Sequence, residues 1–339
     1  MTLCSSNSKP GALDEMSCEL RRMRPLLGTF VEIRATGTGS KLESAVAAAF
    51  AAVERVHKRM SFHEPTSEVS RINTARAGEI VCVAPETHAV LRAARTLGDL
   101  SGGAFDITTA AALLVSQGFL PPPSPEAQAS CAVSPPDDDS VAPSGVSHDR
   151  TADGATYRDL ELLPDNQVVW RREGWIDLGG IAKGYAVDQA VAALRSHGLT
   201  SGVVNAGGDL RCFGEPQPVH LRALQDPTTL LYLGRLANAA IATSADYFNS
   251  RGDGADRIGA LVDPRRAKCR LWGHSVSVVA ADCLTADALT KIIALAPECA
   301  PTLLEQLEAQ AFVVDDRQGI QVFGRPRLLP PGAQLTLDA

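Results

Sequence analysis

Trp175-Ile176-Asp177-Leu178-Gly179-Gly180-Ile181-Ala182-Lys183-Gly184-Tyr185-Ala186-Val187-Asp188 runs from a strand end, through two glycines, into a helical pattern. Two glycines let the backbone turn and approach a ligand closely. A helix starting there offers free N–H groups and the positive end of its dipole, which attract anions. Lys183 in that first turn adds a full positive charge suited to phosphate. A tight turn followed by a solvated lysine reads the same way. The stretch is neither a Walker loop nor a G-x-G-x-x-G fingerprint.

Outward from this point the elements alternate in kind. Around and upstream of it, residues 159–180 read as two short strands joined at Pro164-Asp165-Asn166. Downstream, a helix is expected from about Ala182 to His197, ended by Gly198, then a strand 202–208 and several more strands to about 280. Earlier, residues 25–37 read as one strand, 41–60 as a helix and 85–100 as a second helix entered through Pro85. A last helix is expected over about Thr285 to Ala296, and a strand over 311–316. Helices and antiparallel strands mix without a strict βαβ rhythm, so the class is α+β rather than a Rossmann fold.

Two segments break this order. Residues 1–20 show no period and read as a flexible N-terminal tail. Residues 120–155 are rich in Pro, Ser, Asp and Gly and poor in large apolar residues, so they are expected to be a flexible insertion. The folded body is expected to run from 21 to 330, interrupted by that insertion.

Composition narrows the function. The 339 residues carry 32 Lys plus Arg against 39 Asp plus Glu, a net charge of −7, which argues against a general nucleic-acid binder. Aromatics at 5% leave little for base stacking. No apolar run is long enough for a membrane helix, and the first residues resemble no secretory signal, so a cytoplasmic location is expected. The eight cysteines form no C-x-x-C pair, which points to reduced thiols rather than a zinc or redox site.

Three further clusters could carry chemistry. Val203 to Leu210 runs an apolar strand into Asn205-Ala206-Gly207-Gly208-Asp209, which also suits a hairpin turn. Ser101 to Thr108 places a Gly pair before Phe105 and Asp106, a pocket wall or a loop entering a helix. In Thr285 to Lys291, Asp287 lies near a helix start, as a cap or as a hard oxygen ligand for Mg²⁺, and Lys291 falls on the same face.

Taken in this order, the clusters resemble the ApbE family of flavin transferases. The markers are Leu27-Gly28-Thr29, Met60 to Asn73, Gly103 to Thr108, Asp177 to Asp188, Asn205 to Asp209, Thr243 to Tyr247, Val262 to Arg265 and Ala286 to Leu289, collinear over residues 24–325. The resemblance implies a T-fold-like single domain of mainly antiparallel sheets with helices, holding FAD in a cleft between two lobes. It implies cleavage of FAD with Mg²⁺, transfer of FMN to a Ser or Thr of an acceptor flavoprotein, and release of AMP. Some relatives instead hydrolyse FAD to FMN and AMP.

Carried over by position, Leu27, His63, Ala104, Phe105, Asp106, Asp177, Lys183 and Val262 would surround FAD. Lys183 and Asp287 would be catalytic, and Gly180, Asp287 and Thr290 would hold the metal. Residues from 27–106 and 177–290 would thus build one site.

The departures are specific. Leu27 replaces a Met, His63 an aromatic, Gln117 a Trp and Ala245 a Gly. Ala260 stands where a His is thought to activate the acceptor hydroxyl; His274 could take that part or be an ordinary surface or core residue. Lys291 replaces a hydroxyl ligand of the metal. Its ammonium could occupy the Mg²⁺ position beside Asp287, or point away and leave the ion to water and fewer protein ligands. Read as a site residue near a helix start, Asp287 is expected to be exposed and dispensable for folding. Ala260 and Lys291 keep open an FAD-binding protein that has lost transfer.

Overall fold

The computed structural model describes residues 18–123, 154–224, 226, 228–245, 250–251, 258–266, 268–271, 273–315 and 319–328. The chain opens with β1 (Cys18–Leu26), β2 (Thr29–Gly37), α1 (Gly39–Met60), α2 (Glu68–Thr74), β3 (Ile80–Cys82), α3 (Pro85–Leu100) and α4 (Ile107–Ser116). It continues with β4 (Leu160–Leu163), β5 (Gln167–Trp170), α5 (Ala182–Ser196), β6 (Ser201–Ala206), β7 (Asp209–Phe213), β8 (Gln217–Arg222), β9 (Leu230–Leu236) and β10 (Ala240–Ala245). The short strands β11 (Ser250–Arg251), β12 (Ile258–Gly259), β13 (Leu261–Asp263) and β14 (Lys268–Arg270) precede β15 (His274–Ala280) and α6 (Cys283–Leu295). The last elements are α7 (Ala300–Gln306), β16 (Gln310–Asp315) and β17 (Gly319–Gly324).

The frame is an eight-stranded antiparallel sheet in the order β1-β2-β6-β7-β10-β15-β16-β17. A small sheet β3-β5-β4 and a β8-β9 ribbon accompany it. The α+β expectation holds. Helix α1 forms because Leu42, Val46, Ala49, Val53, Val56 and Met60 recur on one buried stripe. That stripe joins α5, α6 and one sheet face in the main core, which draws residues from Val31 to Ala311. On the other sheet face a second core sits under β8 and β9, with Val219, Leu221 and Leu236 packed on Cys212, Ile241 and Val279.

Three sequence expectations need correction. Residues 25–37 are not one strand: the chain reverses at Leu27-Gly28, both at positive φ (57° and 70°), as a two-residue hairpin of the right twist requires. Residues 18–20, expected in the tail, belong to β1 instead, because Cys18–Leu26 pairs with β2 along its length. Strand β1 is exposed at nearly every position, so it carries no hydrophobic alternation to read. The helix expected from Thr285 starts at Cys283, and α7 follows it. The insertion expected at 120–155 and the tail up to residue 17 lie almost wholly outside the described residues.

Candidate active site

Backbone ties bring the distant segments together. The Asn73 amide clamps Ile176: its Nδ2 donates to the Ile176 carbonyl (3.0 Å) and its Oδ1 accepts from the Ile176 N–H (2.7 Å). The next residue, Asp177, donates its N–H to the Ile107 carbonyl (2.9 Å). Asp106 caps α4 by accepting from the N–H groups of Thr108 (2.7 Å) and Thr109 (3.0 Å), and it also accepts from the Tyr157 N–H (3.2 Å). The Asn205–Asp209 segment is the β6–β7 hairpin turn, with the Asn205 side chain accepting from the Gly208 N–H at 3.0 Å. A Cβ on Gly207 would lie 2.6 Å from Thr29 Oγ1, so only glycine lets this turn rest on the β1–β2 hairpin.

The result is one cavity of about 1070 Å³, just above the roughly 300–1,000 Å³ usual for ligand sites. Of the expected flavin residues, Leu27, Ala104, Phe105, Asp106, Asp177, Lys183 and Val262 stand on its wall. His63 does not; it lies exposed after α1, near enough to act on the Asp177 carboxyl. Burial pushes the Asp177 carboxyl up, against the opposing pull of the Gly179 N–H and His63. Gly180 is on the wall, whereas Asp287 and Thr290 lie behind it, both at 0% exposure.

Asp287 is thus a core residue, contrary to expectation. The N-cap of α6 is Asp282, whose side chain accepts from the Thr285 N–H at 2.8 Å. The helix therefore starts earlier, and Asp287 faces inward from its second turn. There it meets two lysines. The Lys291 ammonium pairs with Asp287 Oδ1 and donates to its backbone carbonyl at 2.9 Å. Oδ2 accepts from the Gly184 N–H at 3.1 Å and lies 3.5 Å from the Lys183 ammonium. Lys183 also pairs with Asp209, which is 2% exposed. The cluster balances two cations with two carboxylates.

The electrostatics follow. Desolvation pulls Lys183 down, but Asp209 and Asp287 outweigh it and the ammonium is held well above its usual value. Desolvation likewise opposes ionisation of Asp287, yet Lys183 and Lys291 win and its carboxyl is held low. Both groups stay charged at neutral pH.

Asp209 belongs to this site, although the hairpin motif alone did not single it out; its pairing with Lys183 needs β7 to lie beside α5. Ser244 and His220, both on the cavity wall, were also missed. Ser244 Oγ lies 2.7 Å from Thr290 Oγ1. His274 starts β15 and is not among the described residues on the cavity wall.

A model of the ApbE family matches residues 27–313. The chain belongs to the ApbE family. It is 30% identical over 255 residues to the FAD:protein FMN transferase of Vibrio cholerae, covering 70% of this chain and 69% of that protein. A second FAD:protein FMN transferase, from Rhodobacter capsulatus, is 28% identical over 312 residues, 89% of this chain but 56% of the relative. The ApbE protein of Thermotoga maritima superposes with a TM-score of 0.71 at 26% identity, covering 91% of this chain and 97% of its own. The flavinyl transferase ApbE of Pseudomonas stutzeri shares the fold with a TM-score of 0.70 at 23% identity, covering 90% of this chain and 94% of its own. Among the described residues, no helix is long and apolar enough to cross a membrane.

Fit to a metal can be tested on the ligand set that the ApbE resemblance implies. Asp287 already has an ammonium on Oδ1 and the Gly184 N–H on Oδ2. Thr290 Oγ1 is engaged with the Asp287 carbonyl (2.6 Å) and Ser244. The Lys291 Cε lies 3.9 Å from where a Cβ on Gly180 would stand, so this side chain runs between Gly180 and Asp287. A further cation about 4 Å from that ammonium would be repelled by about 4 kcal/mol per unit charge at an effective dielectric near 20. These residues do not fit a divalent ion.

Helix α6 is held in place by Asp188. Its carboxylate accepts from the N–H groups of Cys283 and Leu284 (both 2.9 Å) and from Arg211 Nη1 (2.6 Å). This completes the α6 N-terminus and favours its dipole. Asp188→Asn should lower stability by about 1–3 kcal/mol and weaken FAD binding, because α6 carries Asp287 and Lys291. Thermal unfolding and flavin fluorescence titration check this; an unchanged unfolding midpoint would count against the clamp.

Proposed function

We propose that this chain is an FAD:protein FMN transferase that cleaves FAD and attaches FMN through a phosphoester to a Ser or Thr of an acceptor protein. The observation that carries the reading is the single cavity whose wall takes Leu27, Ala104, Phe105 and Asp106 from one part of the chain and Asp177, Lys183 and Val262 from another. The two lysines beside it suit a pyrophosphate. Each ammonium is a point charge able to donate to phosphate oxygens.

In the reaction the acceptor hydroxyl oxygen bonds to the phosphorus of the FMN half. The P–O bond to the AMP half breaks, and AMP leaves with the electron pair. Lys183 and Lys291 offset charge on the phosphate oxygens as it shifts, and the pocket wall holds the phosphorus in line. Asp209 and Asp287 keep the Lys183 ammonium charged, and Asp287 holds that of Lys291 in place. The hydroxyl proton goes to a base. Ala260 stands on the wall where the resemblance places a histidine, so that base is missing at its usual position. His220, the one histidine among the described wall residues, is the candidate to take its place.

The experiment co-expresses the protein with an acceptor domain from the same source and follows covalent flavin on the acceptor and AMP in solution. Flavinylated acceptor with AMP in equal amount is expected. A second reading, an FAD-binding protein without transfer, is favoured by Ala260. It predicts bound, intact FAD and no AMP. AMP and FMN without modified acceptor would instead indicate FAD hydrolysis.

A further inference from the structure

The geometry points to a cation built into the chain: the Lys291 ammonium does the work of a divalent ion, so this protein holds the FAD pyrophosphate without one. The inference rests on the FAD reading above, and it departs from what the ApbE resemblance implies.

Three observations carry it. The ammonium sits on the carboxylate that would be the only charged metal ligand, touching Asp287 Oδ1 and its backbone carbonyl, while the side chain passes beside Gly180 and also lines the cavity. The hydroxyl of Thr290, the third implied ligand, is committed to the Asp287 carbonyl and to Ser244. Charge is already balanced: Lys183 and Lys291 face Asp209 and Asp287, and among the described residues no cluster of three His, Cys, Asp or Glu side chains stands ready to hold an ion.

A hard divalent cation is held by free oxygen ligands, among them at least one carboxylate, with water completing the shell. Here Asp287 Oδ1 and its carbonyl are taken by an internal cation, fixed to the same helix four residues away, so no ion has to be recruited from solution, while Oδ2 and the Thr290 hydroxyl are engaged by Gly184 and Ser244. An ammonium is a compact point charge with three donors, enough to hold Asp287 and still present charge toward a phosphate oxygen.

The test has a binding readout that does not depend on transfer. Mn²⁺, followed by electron paramagnetic resonance, serves as the probe for the ion, and FAD binding is titrated by flavin fluorescence in excess EDTA and in Mg²⁺. The wild type is expected to bind no Mn²⁺ tightly and to bind FAD within about twofold in the two buffers. Lys291→Thr, which restores an oxygen ligand, should bind one Mn²⁺ and need Mg²⁺ to recover FAD affinity, by about tenfold or more. Lys291→Met, which adds no ligand, should lose affinity with only partial recovery. One Mn²⁺ bound tightly by the wild type, or wild-type FAD binding that collapses in EDTA, overturns the inference. If the variants do not fold, the two wild-type measurements decide. No FAD binding in either buffer overturns the FAD reading itself; Mn²⁺ exclusion by the wild type then still stands as a separate result.

Discussion

Asp287→Ala should be among the most damaging single substitutions in this protein, lowering stability by about 3–5 kcal/mol and the unfolding midpoint by roughly 6 °C. The reason is burial. Asp287 is fully buried and balances two ammoniums. Without it, Lys183 and Lys291 share only Asp209, and the Gly184 N–H loses its acceptor. An unpaired buried charge costs far more than a pair contributes. The double variant Asp287→Ala with Lys291→Ala removes the orphaned cation and should recover at least half of the loss. Calorimetry on the four proteins of this cycle measures the coupling. Additive effects would show that Lys291 does not pair with Asp287.

Gly184→Ala is expected to be comparably severe, by a different cause. The glycine lies inside α5, where alanine would ordinarily favour the helix. Here an added Cβ would overlap the Cys283 carbonyl oxygen and come within 2.6 Å of the Cys283 carbonyl carbon and 2.8 Å of the Leu284 nitrogen. Those are backbone atoms of the first turn of α6, so no side chain can swing aside. The two helices must separate, which stretches the Gly184 N–H contact to Asp287 and the two Asp188 bonds to α6. A loss of about 3 kcal/mol or more is expected, at or beyond the usual range for overpacking, together with FAD affinity weaker by about tenfold. Thermal unfolding and fluorescence titration read the two effects. A variant as stable as the wild type would show that the helices have room to part.

How much of this was legible in the sequence depends on whether the signal was local. Helix α1 was readable because its buried stripe repeats within a few residues. The β4–β5 turn was readable because Asp165 and Asn166 tolerate the positive φ it uses (57° and 56°). Strand β1 was not, since it is created by pairing with β2 rather than by burying a face. The burial of Asp287 turned on which aspartate caps α6. Both Asp282 and Asp287 suit a helix start, and the choice of Asp282 moves Asp287 from the solvent side to the core. Asp209 required knowing that a hairpin after α5 would return to the start of that helix. Lys291 was legible as a departure, and only the structure shows where its ammonium goes.

The balanced four-charge cluster also bears on how such a site changes over generations. A buried carboxylate with no cation would be purged, so the exchange of a metal for a lysine looks like a step with no viable halfway point. The cell's own Mg²⁺ removes that obstacle. A chain in which an oxygen-bearing side chain replaces the lysine would be rescued by an ion from solution, and a chain that gains the lysine would stop recruiting one. Asp287, already held by Lys183 and Gly184, is the fixed point across both histories. On the inference drawn above, a single substitution at position 291 would suffice to pass between the two kinds of site.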